Sequence, residues 1–212
     1  TKRVAGVKAV KKVNVVNLST LNGNYEAQNG DILTGKLVGN YKVSIADGAT
    51  VTLAGVTIEG VNSDSYEWAG ISCEGNATIV VEDGTSNSVK GFDLKLPGIQ
   101  VSGDSKLTIK GGSLGTGSLV ASSNGAGAGI GGAFNDYCGE IEIQGGNITA
   151  TGGRGAAGIG GGEDGFWGDI IISGGQVKAI GGNGAAGIGS GYAGDENIYG
   201  NISIMGGTVN AL

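Results

Sequence analysis

Histidine is absent from this 212-residue chain, and cysteine appears only as Cys73 and Cys138. Without imidazole there is no Ser-His or Cys-His nucleophile pair and no histidine base, and most transition-metal sites are excluded. No cysteine cluster has zinc-ligand spacing. The two cysteines occupy different registers of the repeat described below, so the expectation is two buried free thiols rather than a disulfide. Proline occurs once and glycine 47 times. The glycines do not recur at every third residue and no proline-rich tract exists, which excludes collagen and polyproline linkers. No stretch approaches the roughly 18 consecutive apolar residues of a membrane span. Thr1-Lys2-Arg3 does not open on the apolar core of a signal peptide, so the chain reads as a soluble mature fragment without membrane insertion.

Charge is scarce and uneven. Lys2, Arg3, Lys8, Lys11 and Lys12 account for 5 of the 13 basic residues, leaving 8 against 19 acidic ones in the remainder. A body that acidic repels phosphate backbones, so nucleic acid is not an expected partner.

What is present is a repeat. Gly139, Ile141, Ile143, Gly145, Gly146, Ile148, Ala150, Gly152, Gly153, Gly158, Ile159 and Gly160 are followed 29 positions later by Gly168, Ile170, Ile172, Gly174, Gly175, Val177, Ala179, Gly181, Gly182, Gly187, Ile188 and Gly189. A third pass through Ile202, Ile204, Gly206, Gly207, Val209 and Ala211 arrives 32 positions on, because residues 191–200 form a longer corner. A looser copy precedes them at Leu107, Ile109, Leu119, Ala121 and Ile130, with an insertion over Leu114 to Ser118. Earlier still, residues 51–58, 71–73 and 77–81 keep the alternation but lose the glycines.

Each pass holds three segments of strict alternation separated by glycine corners, which predicts three short strands per coil. Such strands are unstable alone. Stacked one rung apart, about 4.8 Å, they complete one another's hydrogen bonds and bury continuous aliphatic columns. The expected fold is therefore all-β, a single-stranded parallel β-helix with coils of about 29 residues, right-handed by the general rule for parallel crossovers. Residues 1–40 read as an N-terminal cap and first strands, with Val4, Val7, Val10, Val13 and Val15 alternating, and residues 41–212 as one continuous solenoid.

The units at 127–131 and 157–160, the Ile-Glu-Ile and Ile-Ser-Ile strands at 141–143 and 202–204 and the block Ile71 to Val89 resemble the glycine-rich β-solenoid domains of bacterial surface proteins, of the carbohydrate-binding or adhesin type. The likeness runs from about Tyr41 to the C-terminus. It implies secretion or display at the cell surface, membership in a larger modular chain and binding of a glycan or a host or cell-surface protein. The residues that carry it build the coil, and it assigns no binding residues.

Specificity must then lie where copies differ. Phe134-Asn135-Asp136-Tyr137, Glu163-Asp164-Gly165-Phe166-Trp167 and Tyr192 through Asp195, Glu196 and Tyr199 recur at one corner and should stack along one edge. Trp167, Phe166, Tyr137, Tyr192 and Tyr199 can meet the apolar faces of sugars, with Asp136, Asp164 and Asp195 beside them. Asn135, Asp136, Glu163, Asp164, Asp195 and Glu196 offer oxygen ligands for calcium, the one cofactor the sequence suggests and none that it requires. The alternative is that corners collect polar and turn-forming residues. Asn62 to Trp68 forms a second aromatic-acidic loop at a different corner.

Other matches fail on closer reading. Gly127, Gly129 and Gly132 imitate a dinucleotide fingerprint with no helix to follow. Gly30 to Leu37 imitates a P-loop, but Leu37 stands where a metal-binding hydroxyl is required. The Thr149 and Thr151 pair of an ice-binding face becomes Lys178 and Ile180 one coil on. A polysaccharide lyase or glycosidase is the enzymatic rival. It would need paired carboxylates or strong basic groups on one face, and the outward strand positions show no repeated pair. The sequence therefore reads as a non-enzyme, with rigid spacing or protein binding as the alternative to glycan binding.

Overall fold

The computed structural model of the protein describes residues 13–192 and 200–212. Its strands are parallel and stack on three faces, each pass visiting the third, first and second face in turn. The first face carries Ala49–Leu53, Ala77–Val81, Lys106–Gly111, Glu140–Ile143, Ile170–Ile172 and Ile202–Ile204. The second carries Ser86–Lys90, Ser118–Ser122, Asn147–Thr151, Gln176–Ile180 and Thr208–Ala211. The third carries Tyr25–Ala27, Val43–Ile45, Ile71–Cys73, Ile99–Val101, Ile130–Gly131, Ile159–Gly160 and Ile188–Gly189.

From Leu119 to Ile188 the registers follow the 29-residue spacing, and the looser turns before them keep the same columns at spacings of 28, 31 and 34. Ile109, Ile143 and Ile172 stand one above another on the first face. Leu119, Ile148 and Val177 do so on the second, and Ile71, Ile99, Ile130, Ile159 and Ile188 on the third. Alternation sends every second side chain inward, so these columns and the Ala121, Ala150 and Ala179 rank close a continuous core that is buried up to the last rungs. At about 25 cal/mol per Å² of apolar area removed from water, such columns are the main force holding the coil.

Strands before residue 40 join the same sheets. Asn14–Asn17 pairs with Asp31–Lys36, which in turn pairs with Ala49–Ile58, and Ala27 is in register with Ile45. Parallel strands thus run from residue 14 onward through the segment expected to hold a cap and first strands, while Val4, Val7 and Val10 lie outside the described residues. Asp31 anchors this first turn. It is 4% exposed and accepts hydrogen bonds from the Tyr25 hydroxyl (2.7 Å), the Gln28 N–H (2.9 Å) and Asn14 Nδ2 (2.9 Å). Burial opposes its ionisation, but those three donors outweigh it and hold the carboxyl below its ordinary value. The same burial and the Asp31 charge push the Tyr25 phenol up to about 12.

Two departures from pure repetition have identifiable causes. Ala49–Ile58 runs unbroken from the first face into the second, bending at Gly55, whose φ is 85°. Where the register calls for an aliphatic residue under Leu119, Asn87 points inward. Its Oδ1 accepts from the N–H groups of Gly55 and Val56 at 3.0 and 2.9 Å, and its Nδ2 donates to the Ser118 carbonyl at 3.0 Å, so the bend leaves no orphan donor. The insertion after Gly111 is held by Asp83, which accepts from the N–H groups of Leu114 (2.8 Å) and Thr116 (2.9 Å). Those bonds keep its carboxyl below the ordinary range.

Cys73 and Cys138 are both free and buried, as their registers predict. Burial pushes the Cys73 thiol up to about 12, and Cys138 is pushed higher than usual for the same reason. Among the described residues no helix is long and apolar enough to cross a membrane.

Candidate functional site

The third face is covered on its outside. After Ile130–Gly131, Ile159–Gly160 and Ile188–Gly189 the chain turns back across it, so that loops from its two ends meet. The Phe134 N–H donates to the Lys95 carbonyl (2.8 Å), Glu163 N–H to Ala126 (2.8 Å) and Tyr192 N–H to Gly155 (2.6 Å). The strand beneath ends in glycine because its own rungs approach closely. A Cβ on Gly160, at φ 131°, would stand 2.1 Å from the Gly189 carbonyl oxygen.

The returning loops stack. Asn135 N–H donates to the Glu163 carbonyl (2.9 Å), Asp164 N–H to Tyr192 (2.9 Å) and Phe166 N–H to Asp136 (3.1 Å). Asn135 and Asp164 take matching left-handed conformations, with φ of 50° and 54°. Residues 134–137 and 163–167 are therefore the same loop one rung apart, and Tyr137–Cys138 pairs in parallel with Phe166–Trp167. Tyr137 and Phe166 form an outward aromatic pair with ring centroids 5.8 Å apart. Tyr192 continues the stack, 60% exposed. Asp195, Glu196 and Tyr199 lie outside the described residues.

One member of the expected surface patch points the other way. Trp167 is 9% exposed and belongs to the core. The two-residue strand alternates like every other, so Phe166 outward requires Trp167 inward, above the buried Cys138. It cannot be a sugar platform, and its ring is packing.

The calcium ligands do not converge where described. Asp136 Oδ1 accepts from the Tyr137 N–H (2.8 Å), and the Glu163 carboxylate faces Arg154 Nη2 at 3.6 Å. Among the described residues no group of three or more acidic or thiol side chains is placed to hold a metal.

Beside the stacked loops opens a pocket of about 390 Å³, lined by Leu94, Lys95, Asn124 to Ala126, Phe134, Arg154 and Glu163. Its apolar wall is Leu94 and Phe134, 41% and 38% exposed. Gly125 lies against the Leu94 backbone with no room for a side chain, which joins the loops that form the floor. Asn124 reaches the second aromatic-acidic loop, its Nδ2 donating to Asn62 Oδ1 at 2.7 Å. The Asn62 to Trp68 loop thus touches the rim of the site while its own aromatics turn away from it. Tyr66, Trp68 and Phe92 pack together with centroids 5.2 to 6.2 Å apart.

Lys95, Leu94 and Arg154 were not legible as site residues. Leu94 and Lys95 sit in a loop with no repeated motif, and Arg154, some 60 positions on, occupies the variable position between Gly153 and Gly155 that is Asn183 one coil later. The signal available was composition: Arg154 is the one arginine of the repeat region, Arg3 being the other in the chain.

A second hollow, about 530 Å³, follows the glycine corners between the first and second faces, bounded by Lys110, Leu114, Gln144, Asn147 and Gln176. It has no aromatic wall. Elsewhere on the first face Lys106 ties down both nearby carboxylates, 3.7 Å from Glu140 and 2.9 Å from Glu142.

Comparison with known proteins agrees with this architecture. A family model described as a beta helix repeat matches residues 141–163 and 170–192, the two most regular turns. No curated protein and no solved structure matches the chain. The protein is thus a parallel β-helix domain, on the match to those two turns and on the strand registers together.

Proposed function

We propose that the chain is an extracellular, non-catalytic carbohydrate-binding or adhesin module of a bacterial surface protein. The observation that carries this reading is the pocket beside the stacked loops. It sets an exposed phenyl ring and a leucine against two cations, an amide and one carboxylate, on walls pinned by backbone hydrogen bonds. Sugars present apolar C–H faces and polar edges, and a concave site with an aromatic wall and a few fixed polar groups suits both. Tyr137, Phe166 and Tyr192 on the same ridge extend the contact for a longer chain.

A glycosidase needs two carboxylates flanking the scissile bond, and the lining of this pocket holds only Glu163. That supports binding without turnover. Calcium has no part in the reading, so binding should persist in EDTA. The acidic body disfavours nucleic acid as the partner. A glycan array tests the proposal: at least one reproducible hit is expected, lost in Phe134→Ala with the melting temperature kept. An array blank across plant, mucin and microbial glycans would contradict it and leave the rigid stack as a spacer or protein-binding module.

A further inference from the structure

The body of the chain is acidic, yet the pocket rim is not. Lys95 and Arg154 face one carboxylate, Glu163. Among the described residues Lys95 makes no ion pair. Arg154 Nη2 lies 3.6 Å from the Glu163 carboxylate, with its side chain 79% exposed. That is longer than the roughly 2.7–2.9 Å of a charge-assisted hydrogen bond, so the guanidinium fork is left open to a planar anion. On the far side of Lys95, Asp64, Glu67 and Asp93 line a separate hollow.

We propose that this pocket takes a sugar ring carrying one negative charge, a uronic acid or a sulfated hexose. The ring lies on Phe134 and Leu94 and its anion sits between Arg154 and Lys95. The inference rests on reading the pocket as a sugar site. The walls are fixed in advance by the Phe134-to-Lys95 and Glu163-to-Ala126 hydrogen bonds, so ordering costs on binding are small. Glu163 has a second consequence. It competes with the ligand for Arg154, so its neutralisation should improve binding of the charged sugar alone.

The test is an NMR titration of the ¹⁵N-labelled protein with methyl glucuronide, glucose 6-sulfate and methyl glucoside. The expected result is that at least one charged sugar binds about tenfold more tightly than the neutral one, the worth of one charge-assisted contact. Arg154→Ala should erase the difference. Glu163→Gln should tighten the charged sugar several-fold and leave the neutral one unchanged. Whichever anion shows the preference identifies carboxylate or sulfate as the group recognised. Equal affinity for charged and neutral sugars, or no response to Glu163→Gln, would overturn the inference while leaving a sugar site in place. No shift with any sugar, together with a blank array, would overturn the sugar site itself.

Discussion

Replacing Gly160 by alanine tests how the third face is built. Its φ of 131° is one that L residues rarely adopt, and a Cβ there would meet the Gly189 carbonyl oxygen at 2.1 Å, backbone that has no side-chain torsion to yield. The conformational strain costs about 1–3 kcal/mol, and forcing the rungs apart a further 1–3 kcal/mol or so. A loss of about 2–6 kcal/mol is therefore expected. Gly84 is the control. Its φ of 71° is also positive, but nothing lies within 4 Å of the point where an added Cβ would stand, so Gly84→Ala should show only the left-handed penalty of about 1–2 kcal/mol. Gly23 has open space and should be near neutral. Urea unfolding followed by circular dichroism separates the three. With a slope of about 2.5 kcal/mol per M, Gly160→Ala should lower the midpoint by about 0.8–2.4 M. A Gly160→Ala midpoint matching that of Gly84→Ala would refute close approach of the rungs as the reason for the glycine ladder.

Other expectations follow from the buried polar groups. Asp31→Ala leaves the Tyr25 hydroxyl and the Gln28 N–H without their acceptor and should cost about 1–3 kcal/mol in the same assay. Because its folded pKa is depressed, the stability Asp31 contributes is present above the ordinary carboxylate range and should fade as pH drops through the folded value. The thiol of Cys73 and the phenol of Tyr25 are raised to about 12, so their contribution is complete below their ordinary values near 9 and 10. Stability should fall between about pH 9 and 12, and a melting temperature flat over that range would contradict the burial. Asp83→Ala should speed hydrogen exchange at the Leu114 and Thr116 amides with little change at Ile109, and unchanged exchange would show the insertion holds itself.

The coil could be read from the chain because its cause is periodic. Ile143 and Ile172, or Ile159 and Ile188, are 29 apart in sequence and paired in space for the same reason, that each rung must complete the hydrogen bonds of the one below. The stacking of residues 134–137 on 163–167 followed from the same spacing. Trp167 shows where such reading fails. Its place in a corner suggested exposure, whereas a local two-residue alternation turned it inward, and the buried residue type at Cys138, 29 positions earlier, was the available clue. Asn87 could not be foreseen as the partner of a bend at Gly55, since the two are linked only through the third dimension. The pocket was hidden for a similar reason. Leu94 and Phe134 meet because loops fold back over the third face, and nothing in their spacing announces it.

The most direct measurement is chemical-shift mapping of the ¹⁵N-labelled protein saturated with the strongest array ligand. The account predicts that perturbed amides cluster at Leu94 to Leu96, Asn124 to Ala126, Phe134 to Tyr137 and Glu163 to Phe166. Perturbations confined to the second face, or to the glycine corners around Leu114 and Gln144, would contradict it.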